Sequence, residues 1–387
     1  MACTSLSDVQ ADDIRQWEIL TSKETYDSLL NMPQSGELSN QLNNCITSFK
    51  KEGDLMVHVS SFCIIDDVLY MTYYANRISG EEIPSQQIVR FVKCPIDDFN
   101  NKIYFDLQGA KDCGLSYNLT HFNGKTVNEI YDTVLMKRDD RTLYIMWSAS
   151  LDGVYTRLFQ QYDTETGLFG TISYNYFKVN DCVSLMDIPG IEYALSLNGI
   201  KHNPLEFDIG IMQRLSKRKE NGTVYYYTGC YANTFNCIIK SRDLIVWEYV
   251  SHPTFPNKSQ FENSVYVKDN KVYYFCRQEK SEDYAFITYY DLNTSKWRDP
   301  LLVYDSQSRN DIWEYNNNLY AIHAPIDRNH LSVLLIDTVN LKMSKEIQTA
   351  KVYYLFYPFV QYYNNQLWVS LTNARHDIVL SKFSIKY

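Results

Sequence analysis

The chain has 387 residues, 45% of them hydrophobic, with a formal net charge of −9 and an isoelectric point near 5.3. That acidity argues against a nucleic-acid or anionic-membrane partner, either of which needs a basic face, and no apolar run reaches transmembrane length. Nine cysteines without a C-x-x-C pair, and no charged start followed by an apolar stretch at Met1 to Gln16, point to a cytoplasmic, reducing location without a signal peptide.

Residues 1–50 read as a polar N-terminal segment, with a short helix expected over Asp8 to Trp17. Within it, Trp17-Glu18-Ile19-Leu20 is the candidate strand for closing a ring of sheets against the C-terminal run Asp377 to Ile385. Residues 51–387 read as one catalytic β-propeller domain.

The reason is a six-fold echo in which a polar turn precedes an aliphatic residue and an aromatic. It reads Asp67-Val68-Leu69-Tyr70, Arg141-Thr142-Leu143-Tyr144, Gly222-Thr223-Val224-Tyr225, Asn270-Lys271-Val272-Tyr273, Asn317-Asn318-Leu319-Tyr320 and Asn365-Gln366-Leu367-Trp368. From Val224 on, the aliphatic anchors fall at 224, 272, 319 and 367, a spacing of 47 or 48 residues. A steady period of that size, filled with strands, marks propeller blades. The fold expected is all-β: a six-bladed β-propeller of four-stranded antiparallel blades. The first two intervals are longer, with extra length near 100–128 and 170–203. These insertions are expected to build walls or lids over one face of the disc, or a degenerate extra blade at 170–203. The turns Ser241-Arg242-Asp243…Trp247 and Asp291…Trp297 read as structural: the Asp accepts backbone N–H groups and the Trp caps the hairpin.

Inner strands of a propeller run along its axis, so their tips converge. Counting ten or eleven residues back from each anchor gives His58, Asp132, Glu262, Arg309 and Tyr357, with Asp208 (or Glu206) as the best equivalent in the third repeat. Six polar, ionisable or hydroxylated residues from six repeats suggest an axial pocket, although a merely wet channel also begins its strands with polar residues. Arg277 and His323 end or follow second strands, Arg328 lies five residues beyond His323, and Arg77 precedes Glu81 and Glu82. Arginines gathered at one mouth imply an anionic ligand.

The stretch Glu262-Asn263-Ser264 to Phe275-Cys276-Arg277 resembles the Glu…Arg segment of sialidases. Tyr357-Pro358-Phe359-Val360, followed by Asn365 to Trp368, resembles their C-terminal tyrosine strand, and the Ser241…Trp247 turn resembles a degenerate Asp-box. The resemblance implies a divergent six-bladed sialidase-like glycoside hydrolase, acting in exo fashion on a terminal, acidic sugar of a glycan or oligosaccharide. It implies Tyr357 as nucleophile, Glu262 as the base that activates it, Arg277 and Arg309 as carboxylate holders, and an acid–base carboxyl among Glu81, Glu82 and Asp132. Asp208, Arg328 and His323 complete the expected substrate-binding set. Where the family has Arg-Ile-Pro, this chain has His58-Val59-Ser60. His58 accordingly invites a second reading, a His-dependent polysaccharide lyase or related propeller sugar enzyme. A third is a non-catalytic glycan-binding propeller, which needs aromatics and arginines but no Glu262–Tyr357 pair. No cofactor and no metal are expected, since H-E-x-x-H, C-x-x-C and phosphate-loop motifs are absent.

Overall fold

The computed structural model describes residues 44–105, 121–205, 209–232, 235–253, 260–278, 284–306, 308–348 and 355–385. Asp208, Glu206 and the candidate strand Trp17–Leu20 lie outside the described residues. The observed architecture is an all-β propeller arrangement of sheets, taken here in chain order.

Sheet 1 is formed by Met56–Ile65, Val68–Asn76, Gln87–Pro95 and Ile103–Phe105. Sheet 2 runs from its inner strand Lys125–Lys137 through Thr142–Leu151 and Val154–Asp163 to Ser173–Tyr174, with His121–Phe122 on the inner side. Sheet 4 (Gln260–Lys268 to Leu301–Tyr304), sheet 5 (Asp311–Tyr315 to Lys342–Gln348) and sheet 6 (Leu355–Tyr363, Gln366–Asn373 and Asp377–Phe383) repeat this antiparallel order. The last is completed by an N-terminal strand, Thr47–Phe49, pairing Ser48 with Val379.

Sheet 3 is different. It has seven strands, its inner position is split between Gly210–Ile211 and Ser216–Glu220, and Tyr176–Val179 joins Val246–Ser251 in parallel. Six equivalent four-stranded antiparallel blades are thus corrected to five antiparallel blades and one composite sheet. Two of those five also carry five strands rather than four. The insertion at 170–203 explains the exception. It forms the hairpin Tyr176–Val179/Cys182–Leu185 and the helix Ile188–Leu197, which extend sheet 3 at its outer edge rather than closing over the disc. The helix starts where Asp187 accepts the Gly190 N–H at 2.8 Å, an N-cap with Pro189 in the first turn.

Apolar side chains fill the gaps between neighbouring sheets. Phe275 and Ile287 of sheet 4 pack with Ile312, Ala321 and Leu334 of sheet 5, and Phe62 and Met71 of sheet 1 pack with Phe359 and Trp368 of sheet 6. The alternation of strand side chains makes each sheet apolar on both faces, and burial of that area holds the ring together. Side chains also lock one inner strand to the next. Ser61 accepts from Leu135 N–H (2.6 Å), Ser216 from Val267 N–H (2.9 Å), Ser264 from Ile312 N–H (3.0 Å) and Asp311 from Val360 N–H (2.8 Å). The outer turns behave as expected: Asp243 Oδ1 accepts from Ile245 and Val246 N–H at 2.8 and 2.9 Å, and Trp247 is buried. Asp163, Asp291 and Asp337 make the same turn in sheets 2, 4 and 5.

Candidate active site

The inner strands of sheets 1, 2, 4 and 6 carry register irregularities between His58 and Ser61, Tyr131 and Val134, Gln260 and Asn263, and Phe356 and Phe359, and sheet 2 has a second between Val127 and Glu129. A bulge adds a residue, turns the strand and re-aims a side chain. Three residues inside these bulges are left-handed: Val59 (φ 54°), Asp132 (φ 49°) and Tyr357 (φ 54°). Such a backbone costs a non-glycine residue energy and is kept where the surroundings impose it. The bulges aim Val59, Asp132, Glu262 and Tyr357, together with Arg309, into one cavity of about 340 Å³. Tyr74, Glu82 and Pro84 form one wall of it, and Glu129, Tyr131, Tyr155 and Tyr231 another.

A buried charge network lies at the base. Arg309 donates from Nε to Glu262 Oε1 at 3.1 Å and from Nη2 to the same oxygen at 2.9 Å, and Nη2 also reaches Asp132. Its Nη1 donates to Gln213 at 3.3 Å. Arg277 donates to Glu262 Oε2 at 2.6 Å and lies 3.4 Å from the Tyr357 hydroxyl. Arg157 donates to the Asp132 carbonyl at 2.9 Å and to its carboxylate at 3.2 Å. Three guanidinium groups therefore meet two carboxylates, and charges this deeply buried persist only when paired in this way.

The electrostatics follow from the pairing. Burial pushes the Glu262 carboxyl up, but Arg309, Arg277 and a hydrogen bond from Tyr357 outweigh it and hold the group below its usual range. Burial and the Glu262 charge raise the Tyr357 hydroxyl well above the ordinary phenol range, against the lowering effect of Arg277 and Arg309. Tyr357 is thus a phenol held protonated beside an ionised carboxylate. Its ring stacks on His58 at 4.5 Å between centroids, and the Arg309 guanidinium lies 4.8 Å from the same centroid.

On the opposite carboxyl of the cavity, Glu82 accepts from the Tyr74 hydroxyl and pairs with Arg375 at 2.7 Å. Arg375 and Arg328 both lie over the Phe356 ring, at 5.3 and 4.4 Å. Burial lowers the Arg328 pKa, Tyr357 and Glu262 counteract, and repulsion from Arg277 and Arg375 adds to the lowering. Arg277, Arg328 and Arg375 thus gather positive charge behind Tyr357 and Glu82, outside the set of residues that line the cavity.

Several sequence expectations change. His58 does not line the cavity. It is fully buried behind Tyr357, with Nδ1 3.1 Å from Thr372 Oγ1, and burial followed by Arg375, Arg309, Arg328 and Arg277 holds it neutral. The residue that occupies the axial position is Val59. A one-residue shift along a strand turns a side chain to the other face, and that is the whole difference. His323 is likewise core. It packs edge-on to Phe275 at 6.1 Å, and burial with His330 nearby lowers its pKa to about 3 despite a favourable Ala324 backbone bond. Asp132 lines the cavity, but its carboxylate is buried between two arginines, Arg309 and Arg157, and serves the network, whereas Glu82 faces the single arginine Arg375 and its side chain is 28% exposed. Arg309 lines the cavity and is held by Asp132 and Glu262, as Arg277 is by Glu262.

Sequence reasoning also missed residues. Gln213 and Arg214 come from the split inner strand of sheet 3. Arg214 pairs with buried Asp311, Nε to Oδ1 at 2.8 Å, and donates to the Val360 carbonyl, tying sheet 3 to sheets 5 and 6. Tyr231 owes its position to Gly210: a Cβ there would meet the Tyr231 ring at 1.8 Å. Among the described residues, no group of three His, Cys, Asp or Glu side chains is arranged to hold a metal ion.

No family model and no curated protein matches the chain. Solved structures do. The Hadza microbial sialidase Hz136 superposes with a TM-score of 0.61 at 8% identity, covering 86% of this chain and 66% of that one. A protein of unknown function from Dyadobacter fermentans gives 0.55 at 10% identity, covering 88% and 98%. The NanB sialidase from Streptococcus pneumoniae, in complex with a chlorobenzylammonio-ethanesulfonate, gives 0.50 at 9% identity, covering 93% and 72%. The chain therefore has a propeller fold shared with sialidases. At such identities the likeness concerns the fold, and the chemistry must be argued from the site.

Proposed function

We propose that the protein is a glycoside hydrolase of sialidase-like type that removes a terminal, acidic sugar through a tyrosine nucleophile. The observation that carries this reading is that Tyr357 and Glu262 line one axial cavity and are bridged by Arg277, whose Nη1 lies 2.6 Å from Glu262 and 3.4 Å from the Tyr357 hydroxyl. Tyr357 Oη attacks the anomeric carbon while its proton passes to Glu262, and the bond to the leaving-group oxygen breaks as that oxygen takes a proton from Glu82. Water then attacks the glycosyl–tyrosine bond, giving its proton to Glu82, and Glu262 returns the first proton to Tyr357. A neutral phenol can approach a sugar bearing a carboxylate where an anionic nucleophile would be repelled. Arg309 in the lining, with Arg277, Arg328 and Arg375 behind it, supplies the positive field that favours such a carboxylate.

The lyase reading requires His58 to touch substrate, and the stacking of Tyr357 over a buried His58 speaks against it. A screen of chromogenic terminal glycosides and acidic polysaccharides, reading both released aglycone and ultraviolet absorbance of unsaturated product, tests the proposal. Aglycone release from acidic glycosides is expected. Unsaturated product identifies a lyase, and binding without either product identifies a glycan-binding propeller.

A further inference from the structure

The cavity wall contributed by sheet 2 differs in chemistry from the wall backed by arginines. Glu129 and Tyr131 stand on the inner strand of sheet 2, just ahead of the bulge at Asp132, and Tyr155 stands on its third strand. The Tyr155 hydroxyl donates to Glu129 Oε2 at 2.9 Å, and the Tyr131 and Tyr155 rings lie 5.9 Å apart at 56°. All three line the cavity that also holds Tyr357 and Glu262. Among the described residues Glu129 has no ion-pair partner, and its Oε1 has no hydrogen-bond donor. It is thus a carboxylate with one oxygen fixed by a tyrosine and the other turned over to the cavity's contents.

Accepting the glycosidase reading, we infer that Glu129, held by Tyr155, is a specificity-determining subsite for a hydroxyl-bearing, uncharged face of the sugar. A carboxylate accepts hydrogen bonds and donates none, so it selects hydroxyl donors and repels acids. Glu129 is half-buried, and a bound sugar that shields it from water leaves its free oxygen unpaired when the analogue lacks the hydroxyl, which is the source of discrimination. Two tyrosine rings beside it offer flat apolar surface for sugar C–H faces. The cavity therefore has two poles. The sugar's anionic substituent lies toward the Glu82 and Tyr357 wall, behind which Arg277, Arg328 and Arg375 stand, and its polyol side lies toward Glu129, which fixes the orientation of the ring over Tyr357.

The experiment is calorimetric and NMR titration of the wild type, Glu129→Ala and Tyr155→Phe. The probes are N-acetylneuraminic acid, glucuronic acid and galactose, together with monodeoxy and amino-deoxy analogues of whichever the wild type binds. Glu129→Ala should weaken the hydroxylated sugar at least tenfold while leaving one monodeoxy analogue within twofold of wild type, and Tyr155→Phe should do the same in smaller measure. An equal loss for every analogue, or no loss, overturns the subsite while leaving the glycosidase reading intact. Tighter binding of the amino-deoxy sugar at that position overturns the hydroxyl assignment in favour of a basic group. A wild type that binds none of the three sugars removes the glycosidase reading and the subsite with it. Tyr155→Phe deletes one oxygen only, so it reports on the subsite even if Glu129→Ala folds poorly.

Discussion

The ring of His58 stacks on the ring of Tyr357 with 4.5 Å between centroids, and this contact divides the first inner strand into a structural face and a functional one. His58 supports the tyrosine from within the protein, while its neighbour Val59 faces the cavity. The backbone is left-handed at both Val59 and Tyr357, so two bulges from adjoining sheets set this geometry together.

Replacement of Tyr357 by Phe removes the nucleophilic oxygen and keeps the ring between His58 and Arg309. Hydrolysis should fall to background while the dissociation constant of a bound sugar changes by less than about threefold, since the lost group acts in the transition state. Single-turnover kinetics and titration calorimetry on the same preparation check this.

Glu262→Gln should lower kcat by roughly 10²- to 10⁴-fold, the usual reach of a general base. It also leaves Arg277 and Arg309 facing an uncharged amide, so unfolding free energy should drop by about 3 kcal/mol or more. Denaturant melts beside steady-state kinetics separate the two effects.

The Arg214–Asp311 pair lies apart from the cavity lining and ties three sheets together. Arg214→Met should destabilise by about 3–5 kcal/mol, because Asp311 is left buried and unpaired. KM for any glycoside turned over should stay within about twofold of wild type if the sheets keep their positions.

His58 and His323 are held neutral in the folded protein, below the ordinary value of 6.5, whereas the unfolded chain protonates them near that value. The unfolded state then binds more protons, so the stability each contributes is complete above about pH 6.5 and is lost as pH falls below it, by about 1.4 kcal/mol per unit for each group. For His323 the loss continues to about pH 3. Melting temperature measured from pH 7.5 to 5 should decline less steeply in His58→Phe than in the wild type.

Much of the site is legible in the sequence, and the failures have a geometric cause. Cross-strand register places the axial residue five positions before the partner of each anchor: Leu69 faces Ile64, Val272 faces Val267, Leu319 faces Glu314 and Leu367 faces Tyr362. Those pairs give Val59, Glu262, Arg309 and Tyr357. In sheet 2, Leu143 faces Lys137 across a longer turn, so Asp132 lies eleven residues before its anchor rather than ten. A count that allows ten or eleven thus finds Asp132 correctly and takes His58 for Val59. In sheet 3 Val224 faces Lys219, so the same count of ten or eleven reaches Arg214 and Gln213, and the allowance for a longer hairpin there is what passes over them in favour of Asp208. Glu129, Tyr155 and Arg375 reach the site from outside the repeated position, so a search for one residue per repeat passes over them. The parallel strand of the composite sheet belongs to the insertion at 170–203, whose sequence carries no echo of the repeat.

Mechanism-based labelling addresses the central claim, that Tyr357 forms the covalent bond to the sugar. The protein is incubated with the fluorinated glycosyl fluoride corresponding to the glycoside it hydrolyses, digested, and analysed by peptide mass spectrometry. A glycosyl adduct on the peptide containing Tyr357, absent in Tyr357→Phe, is the predicted result. An adduct on Glu82 or Asp132, or turnover that persists in Tyr357→Phe, contradicts it.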